Sequence, residues 1–225
     1  MIANLPALEK IINYKFENEI YIHRALTHSS AHHDSLGLDY ERLEFLGDRV
    51  FNLIIADLLF KMFPDEKEGA LAKRHTALVR TETMATLAKQ MNMGQFVILS
   101  DAERRAGGSE NQNILADIIE AVTASIYLDG GYEVAKEFVE RILGDRPHQM
   151  IEPPRDAKTT LQEWSQANDL GLPVYELIGQ TGPDHLPEFI IEVSLSGYVP
   201  QSASSTSKKR AEKEAAKKML GIILS

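Results

Sequence analysis

The chain has 225 residues, no cysteine and a formal net charge of -9. That length can bury one large core or two modest ones, and the lack of thiols excludes disulfides and thiolate zinc sites. No apolar run reaches membrane-spanning length, and the first ten residues lack a basic region followed by an apolar one, so the expectation is a cytoplasmic protein with no membrane partner.

Residues 1–146 read as almost continuous helix. Apolar residues recur at helical spacing through 6–14, 19–29, 40–62, 69–92, 111–128 and 131–143. The breaks are turn-like: Ser35-Leu36-Gly37, Phe63-Pro64-Asp65, Arg105-Ala106-Gly107-Gly108 and Asp129-Gly130-Gly131. Strand-like alternation is scarce, so an all-α domain is expected. Residues 147–155 hold three prolines and little periodicity, and Pro153-Pro154 favours an extended chain, which marks a linker. Beyond it the period changes. A helix is expected over 158–167, strands over 174–179 and 188–195, an extended piece over 198–206 and a helix over 208–223. Phe189, Ile191, Val193 and Leu195 alternate onto one face, while Ala211, Ala215 and Met219 follow i, i+4, i+8. The fold class is therefore multidomain, with a helical domain at 1–146 and a small α+β domain of order α-β-β-β-α at 156–225.

Two acidic helical segments carry the chemistry. In E-R-L-E-F-L-G-D, Glu41, Glu44 and Asp48 are spaced i, i+3, i+7, which gathers their side chains within an arc of roughly 60°. In L-A-D-I-I-E, Asp117 and Glu120 are spaced i, i+3. The first helix is apolar nearly all round, the mark of a buried helix. Two carboxylates about 5 Å apart repel by roughly 3 kcal/mol at an effective dielectric of 20, and burial adds to that or protonates one of them. A hard divalent cation with oxygen ligands resolves both problems. The competing reading is a solvated acidic stripe paired with Arg42, Arg49 and Lys61. Glu68 opens a helix, where an acid favourably meets the N-terminal dipole, and spacing alone assigns it to that role.

The total charge argues against a nucleic-acid partner, but its distribution does not. Within 207–218, S-K-K-R-A-E-K-E-A-A-K-K, there are six basic and two acidic residues. Positive charge at a helix N-terminus opposes the dipole unless a phosphate lies in front of it. A solvated Lys/Glu helix with pairs such as Glu214–Lys218 fits the same composition.

Y-E-R-L-E-F-L-G-D-R-V closely resembles the signature segment of the ribonuclease III endonuclease domain, and N-I-L-A-D-I-I-E-A-V-T-A-S-I-Y-L-D-G-G resembles its second acidic segment. A-L-T-H-S-S at 25–30, K-E-G-A-L at 67–71 and T-A-L-V-R at 76–80 follow in the family's order. The tail resembles a double-stranded-RNA-binding domain at T-T-L-Q-E (159–163), G-P-D-H (182–185) and S-K-K (207–209).

The resemblance implies a homodimeric, double-strand-specific endoribonuclease that uses Mg²⁺, with Mn²⁺ able to substitute, and no small-molecule cofactor. It implies a metal-activated water, products with 5′-phosphate, 3′-hydroxyl and short 3′ overhangs, and a place in ribosomal and other precursor RNA processing. Glu44, Asp48, Asp117 and Glu120 would form the metal site, with Asp48 and Glu120 catalytic. Glu41 and Glu68 would lie along the catalytic cleft, and Phe45 would pack into a partner subunit. Thr159, Gln162 and Glu163 would face one minor groove and His185 the next, with Ser207, Lys208 and Lys209 holding phosphates between them.

One departure is Ala203 and Ser205, where the family usually has glycines, and a stiffer loop is expected there. The alternative reading is a non-catalytic dimeric double-stranded-RNA-binding protein, against which the intact acids argue. Among lesser signals, His28, His32 and His33 lack the further ligand a zinc site requires. Met84, Met91, Met93 and Trp164 read as packing residues, and Arg104-Arg105 before Gly107-Gly108 could touch RNA backbone, a reading the sequence favours less than a solvated loop.

Overall fold

The protein is described by a computed structural model covering residues 4–31, 40–153, 156–183 and 187–224. The chain divides into two units, Met1–Pro154 and Arg155–Ser225, each with its own core.

The first unit is helical. Its elements are α1 (Leu5–Ile12), α2 (Glu19–Ala25), α3 (Glu41–Met62), α4 (Glu68–Val79), α5 (Thr81–Gln90), α6 (Asp101–Arg105), α7 (Gln112–Leu143) and α8 (Arg146–Gln149). Helix α7 is the centre of the unit, with α2, α3 and α5 packed against it. From Ile114 to Ile126 nearly every side chain of α7 other than Asp117 and Glu120 is buried, so the two acids interrupt an apolar rod. Ile54, Ile55 and Leu59 of α3 and Met84, Leu87 and Ala88 of α5 fill the facing layer.

Two expected boundaries differ. Periodicity runs unbroken through 69–92, yet the chain turns extended at Arg80, with φ -65° and ψ 149°. Thr83 stabilises the break, its hydroxyl donating to the Ala77 carbonyl at 2.7 Å, a local bond that competes with the helical ladder. Conversely, the expected break at 129–131 is a kink inside α7, with Gly131 at φ 83°. Asp129 accepts the Tyr14 hydroxyl at 2.7 Å and the Glu17 and Asn18 N–H groups at 2.9 Å. A Cβ on Gly130 would stand 2.7 Å from the Tyr14 hydroxyl, so this kink is where the N-terminal segment docks.

The end of the first unit, where a linker is expected from 147, is tied back to that unit. Residues 146–149 form α8 with Pro147 near its start, where its missing N–H costs nothing, and Pro147 is buried. Arg74, 1% exposed, donates to the Met150 and Ile151 carbonyls. It also bonds Glu66 at 2.6 Å and stacks on Phe63 at 3.7 Å from the ring centroid.

The second unit comprises α9 (Ala157–Ala167), β1 (Val174–Thr181), β2 (Glu188–Ser194), β3 (Gln201–Ser205) and α10 (Lys208–Ile223). The strands form an antiparallel sheet in the order β1-β2-β3, with a bulge between Leu177 and Gly179. Val193, Leu195 and Ala203 pack with Leu161 of α9 and Ala215, Ala216 and Met219 of α10. Trp164 packs edge-on against Tyr198, with ring centroids 5.8 Å apart. The expectation of a stiffened loop at Ala203 and Ser205 is corrected: both lie within β3, opposite Ile191 and Phe189, and Ala203 is part of the core. A side chain at 203 is therefore favoured, because a glycine there would leave the core short of a methyl group.

Candidate metal centre and nucleic-acid interface

Helices α3 and α7 cross at Gly47. A Cβ at that position would lie 1.8 Å from the carbonyl oxygen of Glu120, so the backbones meet as only glycine permits. Gly47 lies between Glu44 and Asp48 in sequence. The crossing thus brings the acids flanking it on α3 against Asp117 and Glu120 on α7.

Among the described residues, Glu44, Asp117 and Glu120 form the one group whose ligand oxygens all come within 4.8 Å of one another, each half-buried. Burial pushes the Glu120 carboxyl up to about 8, with Asp48, Asp117 and Glu44 adding to the rise and Arg49 opposing it. Glu44 is raised by burial and then by Asp117, Glu41 and Asp48. Asp117 is raised by burial, against the opposing influence of His28 and a hydrogen bond from Tyr40. Half-buried carboxylates with several oxygens and little compensating charge are the donor set of a hard divalent cation. The residues present therefore fit such an ion.

The other acids are placed differently. Asp48 is close enough to raise both Glu44 and Glu120, but its carboxylate accepts from Arg49 at 2.5 Å and Asn52 at 2.6 Å, outside the group of three. Glu41 is exposed and bears on Glu44 through charge alone. Glu68 is exposed in the first turn of α4 and is not brought to the cluster. Phe45, on the same helix, is 64% exposed with the Arg49 guanidinium 4.3 Å from its ring centroid.

Sequence reasoning missed the groups that support these acids: Tyr40 and His28 at Asp117, and Asn52 at Asp48. Tyr40 and His28 lie inside the matched motifs, which is the signal that could have found them. His75 of α4 stands behind Asn52, with Nε2 3.2 Å from the Asn52 carbonyl.

In the second unit, Thr159 and Gln162 of α9 share an open groove of about 680 Å³ with Lys208 and Lys209 of α10. Ser207 precedes α10 and makes no side-chain capping bond, so the first N–H groups of the helix face outward beside the two lysines. Two ion pairs tie the helices, Lys158–Glu212 at 2.6 Å and Lys213–Asp156 at 2.8 Å. Glu163 is exposed on α9, and His185 lies outside the described residues.

The ribonuclease-III-like family model matches residues 18–146, and the double-stranded RNA binding motif matches residues 157–222. The chain is 48% identical over 217 residues to Ribonuclease 3 of Wolbachia sp. subsp. Drosophila simulans (strain wRi), covering 95% of this chain and 94% of that protein. It is 45% identical over 224 residues to Ribonuclease 3 of Ehrlichia ruminantium (strain Welgevonden), covering 99% and 98%. Among solved structures, it is similar to the nuclease domain of ribonuclease III from Campylobacter jejuni, with a TM-score of 0.60 and 36% identity over 65% of this chain and 99% of that domain. With a helical unit carrying paired acidic segments, a duplex-binding motif after it and relatives alike over nearly their whole length, the chain belongs to the ribonuclease III family.

Proposed function

We propose that the chain is an endoribonuclease that hydrolyses double-stranded RNA with the aid of divalent cations, Mg²⁺ by preference, and acts as a homodimer in the cytoplasm on ribosomal and other precursor transcripts. The observation that carries the catalytic reading is the convergence of Glu44, Asp117 and Glu120 within 4.8 Å across the Gly47 crossing. The non-catalytic alternative gives no reason to hold three half-buried acids in mutual repulsion.

Glu44, Asp117 and Glu120 would hold the cation, with Asp48 beside them. When bound, such ions supply an activated water and a stabilised leaving oxygen for an in-line displacement, which yields 5′-phosphate and 3′-hydroxyl ends. Glu120, whose carboxyl is pushed up to about 8, is suited to hold a proton at neutral pH until a cation displaces it. Asn52 and Arg49 fix Asp48, and exposed Glu41 extends the acidic surface toward substrate. Glu68 belongs to the cleft only by its match to the family pattern. Phe45 is the apolar anchor suited to a second copy, and offset cleavage by two such sites gives short 3′ overhangs. The Thr159, Gln162, Lys208 and Lys209 groove suits A-form shape and phosphate rather than base edges, and His185 would extend that reading to a second minor groove.

The test incubates a long RNA duplex with the protein in Mg²⁺ and in Ca²⁺, alongside a Glu120→Ala variant. Cleavage by the unaltered protein in Mg²⁺ and its loss in the variant are expected. Binding without cleavage by the unaltered protein sinks the enzyme reading, and cleavage surviving in Glu120→Ala sinks the site assignment.

A further inference from the structure

Asp117 is held from one side by groups outside both acidic stripes. Tyr40, 4% exposed, stands at the N-terminal boundary of α3 and donates its hydroxyl to the Asp117 carboxylate. The His28 ring stacks on Tyr40, with centroids 5.3 Å apart and planes inclined by 27°.

The orientation of that imidazole is fixed by its other edge. Nδ1 accepts the Ser30 backbone N–H at 3.1 Å and lies 2.8 Å from the Ser30 hydroxyl, which itself accepts the Ser100 N–H at 3.2 Å. A backbone N–H can only donate, so Nδ1 serves as an acceptor there and the ring is oriented with that edge toward Ser30. The segment is anchored to its neighbour as well. The His28 N–H donates to Ile98 at 3.0 Å, and the Ile98 N–H donates to Leu26 at 2.7 Å. Hydrogen bonds and a ring stack thus run from Ser100 through Ser30, His28 and Tyr40 to Asp117.

A half-buried carboxylate facing two others would rotate away or protonate if nothing held it. A hydroxyl donor occupies only part of its acceptor capacity, since two oxygens offer about four lone-pair sites. Asp117 accepts from Tyr40 and still presents an oxygen within 4.8 Å of Glu44 and Glu120.

We propose that His28 and Tyr40 are positioning residues that hold the Asp117 carboxylate toward Glu44 and Glu120, so that the cation cage is formed before the ion arrives. This rests on the cation-dependent reading above. Partners of this kind set ligand orientation, and their removal typically costs 10- to 100-fold in metal affinity.

The test titrates the full-length protein with Mn²⁺ in the absence of RNA, following free Mn²⁺ by electron paramagnetic resonance, for the unaltered chain and for Tyr40→Phe, His28→Ala and His28→Gln. Tyr40→Phe keeps the ring and its stack, so it decides the matter if His28→Ala does not fold. Tyr40→Phe and His28→Ala are expected to weaken Mn²⁺ binding about tenfold or more. His28→Gln, whose planar amide can still lie against the Tyr40 ring, should recover part of the loss, and RNA duplex affinity in Ca²⁺ should be unchanged. Unchanged Mn²⁺ affinity in Tyr40→Phe, or lost duplex binding with intact Mn²⁺ affinity, overturns the proposal while leaving the cation-dependent reading in place. Absence of Mn²⁺ uptake by the unaltered chain overturns both.

Discussion

Replacing Gly47 by alanine adds one methyl group at the point where α3 and α7 are closest. That carbon would start 1.8 Å from the Glu120 carbonyl oxygen, whereas ordinary contact begins at 3.4 Å, so the helices must separate by about 1.6 Å. The obstacle is backbone and cannot rotate away. Overpacking of this kind costs about 1–3 kcal/mol, while alanine in place of glycine inside a helix gains about 1 kcal/mol. The net expectation is a destabilisation of between about 0 and 2 kcal/mol, or at most about 8 °C in the melting temperature of a unit this size. The larger effect falls on activity, because the separation acts directly on the distances among Glu44, Asp117 and Glu120. A misplacement of about 1 Å costs on the order of 100-fold in rate. Thermal unfolding and duplex cleavage in Mg²⁺, each on the full-length protein, read the two effects. A variant that melts at the same or higher temperature and cleaves at the normal rate refutes the close crossing.

The remaining expectations use other parts of the molecule. In the metal-free protein Glu120 has a carboxyl pKa of about 8 against an ordinary 4.5, so the unfolded chain releases that proton first. Its contribution to stability is complete below about 4.5 and is lost as pH rises toward 8; melting in EDTA should show that decline flattened in Glu120→Gln, and an unchanged pH slope refutes it. Lys208→Ala and Lys209→Ala should each weaken duplex binding at every sequence and lower the salt slope by about 0.9, measured by titration at several salt concentrations; an unchanged slope removes that lysine from the phosphate contacts. Arg74→Ala leaves Glu66 and two carbonyls without their donor and should lower the midpoint of denaturant unfolding; an unchanged midpoint refutes the pairing.

What the sequence made legible is what repeats along one element. The i, i+3, i+7 acids of α3, the i, i+3 acids of α7 and the alternation of β2 are periodic and needed no tertiary information. The crossing at Gly47 was hidden because nothing local distinguishes a glycine that admits a second helix from one that merely weakens its own. Asp48 could be placed on the acidic stripe but not given a rotamer, and its carboxylate bonds Arg49 and Asn52 while still bearing on Glu120 through its charge. His28 and Tyr40 reach Asp117 from separate segments, so spacing gave them no role. The break at Arg80 was missed for another reason: its signal is one Thr83 hydroxyl satisfying the Ala77 carbonyl, where apolar periodicity continues straight through.

The cluster is held together against its own repulsion, and that opposition explains why its supports lie where they do. Burial and mutual charge drive Glu44 and Glu120 in the same direction, toward protonation. Relief by separation would undo the packing of α3 on the stretch of α7 from Ile114 to Ile126, which is buried nearly all round. The compensating groups stand at the margins: Arg49 beside Asp48 at one edge, Tyr40 and His28 beside Asp117 at another. None of these is a cation set between Glu44 and Glu120. A Lys or Arg placed there would neutralise the acids permanently and occupy the space a divalent ion needs. Leaving the centre uncompensated makes the metal-free cluster costly and turns each ion bound into stabilisation of the crossing itself. Cation affinity, protonation of Glu120 and the packing of α3 on α7 are therefore one coupled equilibrium.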